Sequence, residues 1–328
     1  MARPMYSSAK FAITFAAMVL GQQVAAQPSD ALATLLAQDV RLAAVADQML
    51  VANNALCRLH MPVTGLIFHS RDQYSADVAG TRFVNGAIVI EAIVPGSTAD
   101  SAGLMAGDGL VSIGSQQTGD LVKLEDNPLR DSAYSALADL QGQPEIALTF
   151  TRAGREFTVN LPAPQGCRAL VEIRSLNDLS ARSDGRVIQV SYGLAAEASD
   201  AELAVVFAHE MGHLVLEHRR RLEAAGVEKG FFGEFGKNQR LNRQVEVEAD
   251  RMSVHLLANA GYDPAIAPAF WRTSLGRRAG GGLLRSSTYP SPETRAQLIE
   301  REISDYLGAG SAPTWPGHLL GRRDTGFD

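Results

Sequence analysis

Two cysteines, Cys57 and Cys167, are all that 328 residues contain, which allows one disulfide and no cysteine scaffold. No cysteine directly follows the N-terminal apolar stretch, so a lipoprotein anchor is not expected. The charges form no long runs and sum to −6, which leaves nothing to recommend nucleic acid as a partner. Residues 165–305 lack any run of about 18 apolar residues, so that part of the chain does not span a membrane. Proline and glycine are missing between Asp30 and Leu56, where Leu, Ala and Val recur at helical spacing, and this predicts a helix.

What is present can build two domains, since 46% of the chain is apolar and its length suffices for two cores. Arg3 and Lys10 make a basic start, Phe11 to Leu20 an apolar core short for a span, and Val24-Ala25-Ala26 a small-residue cleavage site. Residues 1–26 are therefore expected to be a secretory signal, with an uncleaved anchor helix as the alternative. The protein is expected to be exported, to the periplasm before secretion. In such a compartment an even cysteine count invites a Cys57–Cys167 disulfide; two separate buried thiols are the other reading.

The chemistry concentrates in His209-Glu210-Met211-Gly212-His213. Residues four apart on a helix lie about 40° from each other around the axis, so His209 and His213 share a face and can hold one zinc ion. Glu210 can reach a water on that ion as general base. Ser199 and Glu202 form a capping box that starts the helix, and the apolar run Leu203 to Ala208 buries it. Zinc hydrolases keep three protein ligands and one open position, so a third ligand belongs downstream. Residues 240–258 read as a second helix in which Glu246 and Asp250 share a face, while Glu248 points about 160° away from Glu246. One carboxylate can ligate the metal and the next turn can support a ligand histidine. The plain alternative is a solvated charged face balanced by Arg243 and Arg251.

His-Glu-Met-Gly-His followed by Glu246-Val-Glu-Ala-Asp250 resembles the gluzincin endopeptidases of the CAAX prenyl protease, HtpX and BepA type. The likeness extends back through Asn177–Leu194, a strand and turn in such enzymes, and forward to Tyr289–Arg295. It implies a zinc endopeptidase with one ion per chain, His209, His213 and Glu246 as ligands, Glu210 as base and Asp250 behind the ligands. Where relatives carry His-Pro this chain has Tyr289-Pro290, so Tyr289 is a candidate oxyanion donor or gate, with surface packing as the alternative. The soluble, exported branch of the family is the better match.

Between the halves, Ile88 to Gly114 contains Pro95-Gly96-Ser97-Thr98-Ala99 and Ala102-Gly103-Leu104 with Gly107-Asp108, and resembles a bacterial PDZ domain. Pro95-Gly96 can turn the chain, Ser97 can cap a short helix and Gly103 can end it in the left-handed conformation. A helix over 129–140 and a hairpin of 145–151 with 155–161 complete the pattern. Such a module binds extended peptides by strand addition, or serves as a spacer with its groove occupied. Gly65-Leu66-Ile67-Phe68 is either its carboxylate loop or a strand of the protease.

The fold class expected is α+β: a mostly helical zincin-type metalloprotease domain with a small β-sheet, interrupted by a β-rich PDZ domain. The divisions are 1–26 signal, 27–64 protease helix, 65–164 PDZ-like insert, 165–305 protease and 306–328 irregular tail. The reaction implied is hydrolysis of internal bonds of polypeptide substrates, with an adaptor or holdase of little turnover as the alternative. Strand 186–192 is the candidate edge for substrate. His218, on a continuous helix, would miss the zinc as a surface or capping histidine. The glycine-spaced aromatic stretch 226–236 is a lid, a membrane-touching loop or ordinary packing, so peripheral membrane or envelope-protein contact stays open. Residues 276–282 read as a surface loop, and 308–328 as a tail without periodicity.

Overall fold

A computed structural model describes residues 28–124, 127–227, 237–279, 290–307 and 313–327. Residues 1–26, the aromatic stretch 228–236 and Tyr289 lie outside them. Helix α1 spans Pro28–Ala52 and buries Leu42, Val45, Ala46, Met49 and Leu50, the spacing of one apolar stripe. Asn53 stops it, its side-chain amide donating to Met49 O at 2.9 Å and to Leu256 O at 3.0 Å. After Cys57 comes the short strand β1, His60–Pro62.

The chain then builds a separate β-rich unit. Its elements are β2 Leu66–Ser70, α2 Ala76–Arg82, β3 Ile88–Ile93, α3 Thr98–Ser101, β4 Gly109–Ile113, β5 Gln116–Gln117, α4 Leu129–Ala138, β6 Glu145–Arg152 and β7 Arg155–Pro162. The strands run in the antiparallel order β2-β3-β4-β6-β7, with β5 on β4. Leu66-Ile67-Phe68 therefore belongs to this unit as its edge strand. Phe68, Ile90, Leu137, Leu148 and Phe150 fill a core of its own. Local turns follow the residues: Ser97 accepts from Asp100 N–H to cap α3, and Gly103 adopts φ +70° after it. Asp108, 1% exposed, is gripped by both arms of the Arg152 guanidinium at 2.5 and 2.6 Å.

Strand β8, Gln165–Cys167, returns beside β1 with Cys167 opposite His60. Cys57 and Cys167 are disulfide-bonded there, Cα atoms 5.6 Å apart, so the β-rich unit leaves and rejoins the body through one neck.

The rest forms a three-stranded sheet under helices. Strands β9 Leu170–Arg174, β10 Ala181–Ser183 and β11 Val187–Ser191 lie in the order β10-β11-β9, with β11 parallel to β9 and antiparallel to β10. This corrects the expectation of an edge at 186–192: β11 has a partner on each side, and β10 and β9 are the edges. Helices α5 Tyr192–Glu197, α6 Asp200–Val215, α7 His218–Ala224, α8 Lys237–Asn259, α9 Ile266–Arg272, α10 Ser274–Ala279, α11 Pro292–Glu302 and α12 Gly317–Leu320 follow. α10 differs from the loop expected from 276, because Leu275 and Gly276 are buried on the body. α6 starts at the Ser199–Glu202 capping box and runs through the core, Leu203 to Ala208 all buried. It presses against α8, where a Cβ at Gly212 would lie 3.0 Å from Ala249 O; a glycine permits this approach.

The final segment is docked rather than trailing. Leu319 and Leu320 are buried, and Arg323 donates to Leu56 O at 2.9 Å. Oε1 of buried Glu302 contacts His255 Nε2 at 3.0 Å and His318 Nε2 at 2.8 Å, while Arg251 donates to Oε2 at 2.6 Å. That network fastens the segment to α8 and α11. Among the described residues, no helix is long and apolar enough to cross a membrane.

Candidate metal centre

Because α6 and α8 approach so closely, Glu246 on α8 reaches between the two histidines of α6. His209 Nε2 lies 3.2 Å from His213 Nε2, and the Glu246 carboxylate lies 3.2 Å from the first and 3.5 Å from the second. A tetrahedral ion with bonds of about 2.0–2.2 Å holds its donor atoms roughly 3.3–3.6 Å apart. The three donors fit such an ion, and they are two imidazoles and a carboxylate, the set a zinc hydrolase uses. Glu210, buried beside His209, lines the same cavity of about 200 Å³. Val206, Phe270 and Trp271 give that cavity apolar walls, and Ala181 to Ser183 of β10 form one side.

Each histidine has a partner behind it. Asp250, 1% exposed, lies with Oδ1 at 3.0 Å from His209 Nδ1, and Arg295 donates to both of its oxygens at 2.7 and 2.6 Å. The Arg295 guanidinium also sits 3.5 Å from the centre of the Trp271 ring. Behind His213 stands His218, Nδ1 to Nδ1 at 2.9 Å, and His218 Nε2 lies 3.1 Å from Glu248 Oε2. Arg221 donates to the same Glu248 oxygen at 2.5 Å; Gln244 and Arg322 donate to the other at 3.0 and 3.3 Å.

The electrostatics suit a cation. Burial disfavours charge on Glu246 and Asp250, but the facing histidines and Arg295 hold both carboxyls below their ordinary range. Burial likewise opposes a proton on His209, yet Asp250 and Glu246 raise its pKa to about 10. His213, with burial dominant, is lowered to about 3. The positive charge that Asp250 and Glu246 favour on His209 is one that a divalent ion would replace.

His209, Glu210, His213, Glu246 and Asp250 thus meet at one place, and Tyr289 is outside the described residues. The carboxylates of α8 are not a solvated face, for Glu248 and Asp250 are both buried and Arg251 turns to Glu302. His218 departs from expectation. α6 stops at Val215, and Glu217 takes the left-handed conformation at φ +52°, so α7 starts at a new angle and turns His218 back under His213. Arg295 carried no predicted role either, although its place in Pro290-Ser-Pro-Glu-Thr-Arg295 marks a capped helix start near the site.

Residues 159–236 match the family model described as Peptidase family M48. The match ends before Glu246. Over 123 residues the chain is 35% identical to mitochondrial metalloendopeptidase OMA1 of Arabidopsis thaliana, covering 31% of this chain and 24% of the relative. Over 143 residues it is 29% identical to the protein of the same name from Schizosaccharomyces pombe, covering 35% and 41%. The chain thus spans about a quarter and two fifths of these relatives' lengths. The likenesses support an M48-type gluzincin domain and a metalloendopeptidase class. They overturn the expectation of an exported, periplasmic protein: both relatives are named as mitochondrial enzymes, which points away from a periplasmic or secreted location. The N-terminal stretch has no acidic residue before Asp30, and a basic, acid-poor start is shared by secretory and organellar targeting segments.

Proposed function

We propose that this chain is a zinc-dependent endopeptidase in which His209, His213 and Glu246 hold the ion and Glu210 is the general base. The observation that carries this reading is the convergence of two imidazole nitrogens and the two Glu246 carboxylate oxygens at near-tetrahedral spacing beside Glu210 in one cavity. Zinc held there would polarise the scissile carbonyl and make an attacking water more acidic. Glu210 takes the proton of that water and passes one to the leaving amine. Strand β10 is an edge of the sheet among the described residues and lines the cavity, so an extended substrate adds to the sheet there. Asp250 and Arg295 fix the ring of His209. Tyr289 stands as an oxyanion donor or gate on its sequence position alone.

The β-rich insert is read as a PDZ-type module. Its edge strand β2 is where a peptide would add, but the Tyr134 hydroxyl accepts from Phe68 N–H at 3.0 Å and donates to Leu66 O at 3.1 Å. With those backbone groups taken, the insert serves the enzyme by bracing or by regulating access rather than by capturing peptide at β2. Cleavage of unfolded casein, with and without chelator, tests the enzyme against an adaptor of little turnover. Glu210→Gln should abolish cleavage and keep zinc, whereas Glu246→Ala should lose both. A Glu210→Gln protein with near-normal turnover sinks the mechanism.

A further inference from the structure

His218 lies outside the donor set and outside the cavity lining, yet it is 2% exposed and both of its ring nitrogens are engaged. We propose that His218 is a positioning residue for the metal centre, its Nδ1 accepting a hydrogen bond from His213 Nδ1–H and its Nε2–H donating one to the Glu248 carboxylate. The inference rests on the zinc reading given above.

Proton placement follows from geometry. His213 faces the other donors with Nε2, so as a metal ligand it keeps a lone pair on that atom and carries its proton on Nδ1. Two ring nitrogens 2.9 Å apart share one proton, and His213 supplies it, so His218 Nδ1 is the acceptor. The remaining proton of His218 is then on Nε2, facing the Glu248 carboxylate at 3.1 Å. Arg221 and Gln244 hold that carboxylate from two other directions. Each bond in the series has one donor and one acceptor, and reversing either would leave His213 without a lone pair for metal.

The two ligand histidines are therefore supported differently. His209 has a carboxylate directly behind it, whereas His213 has a carboxylate acting through a neutral imidazole. In both, an anion beyond the ring raises ligand basicity and fixes ring orientation. The backbone indicates how much the fold gives up for this arrangement. Glu217 holds a left-handed conformation that non-glycine residues seldom adopt, and it is the residue that brings His218 around. Arg58 and Arg220 pair with the Glu217 carboxylate.

The test measures zinc affinity by chelator competition, with the visible spectrum of the cobalt-substituted protein as a second readout and the melting of zinc-free protein as a control for structure. His218→Ala should weaken zinc binding roughly 10–100-fold and shift the cobalt bands. His218→Gln, whose carbonyl can accept from His213 while its amide donates to Glu248, should restore most of that affinity. Should His218→Ala fail to fold, Glu248→Gln decides: a folded protein with weakened zinc supports the assignment, and parental affinity overturns it. Parental zinc affinity in folded His218→Ala overturns it as well. A parent chain that binds no zinc would instead defeat the zinc reading itself.

Discussion

Arg295→Met removes a guanidinium from a carboxylate that has almost no access to water. Asp250 is 1% exposed and loses two charge-assisted hydrogen bonds of 2.7 and 2.6 Å, keeping His209 as its partner at 3.0 Å. Removing one member of a buried ion pair costs about 3–5 kcal/mol, because the other charge is left stranded. At about 2–4 °C per kcal/mol for a large domain, melting of the zinc-free protein at pH 8 should fall by roughly 10 °C. The sign of the pH dependence follows from Asp250, whose carboxyl Arg295 and His209 hold below its ordinary pKa despite burial. Its contribution is present above that pH and is lost as pH falls through the depressed value. Without Arg295 the carboxyl takes a proton more readily, so the gap between variant and parent should shrink in acid. Thermal unfolding of both proteins at pH 8 and near pH 4 measures it. A variant melting within about 2 °C of the parent at pH 8 would refute the argument, and so would a gap that widens in acid.

Reducing the Cys57–Cys167 bond, or replacing both residues by serine, should also lower melting. A sequence separation of 110 corresponds to a ceiling of about 5 kcal/mol in the chain-entropy model, and residual structure in the unfolded chain should keep the loss below it. Equal melting of verified oxidised and reduced protein would defeat that account. Asp47, half-buried on α1, has its pKa raised by burial from 3.8 to about 7. Its burial therefore costs nothing below about pH 4, where folded and unfolded forms are both protonated, and costs progressively more up to pH 7. Asp47→Asn should stabilise the protein by about 1–2 kcal/mol at pH 8 and scarcely at pH 4; a gain independent of pH, followed by urea unfolding, would count against this.

The features legible in the sequence are those set by near neighbours along the chain. The capping box at Ser199, the stripe on α1, the turn at Gly103 and the hairpin about Ala153-Gly154 each depend on residues within a turn or two. That His209, His213 and Glu246 meet could be read because two strongly patterned helices carry them. The misses are tertiary. Strand order put β10 rather than β11 at the edge, and no local property of Val187–Ser191 distinguishes a central strand from an edge strand. His218 was projected along a helix that in fact ends three residues earlier, at Val215. Leu319 and Leu320 are two apolar residues without periodicity, yet a hydrophobic body within reach is enough to bury them.

The single neck has a consequence for synthesis. Helix α1 leaves the ribosome before the insert, but apart from a small contact with β3 it packs on β8, β9, α5, α6 and α8, all encoded beyond the insert. The insert, by contrast, has its whole sheet by Pro162 and its core complete at Ala163. Vectorial emergence therefore completes the second-encoded unit first, while α1 holds Leu42, Val45, Met49 and Leu50 without their final neighbours and Cys57 without its mate. A slow step in making the insert prolongs that exposure. It makes the N-terminal helix, far in sequence from the catalytic residues, the segment for which a nascent-chain chaperone would have most to do.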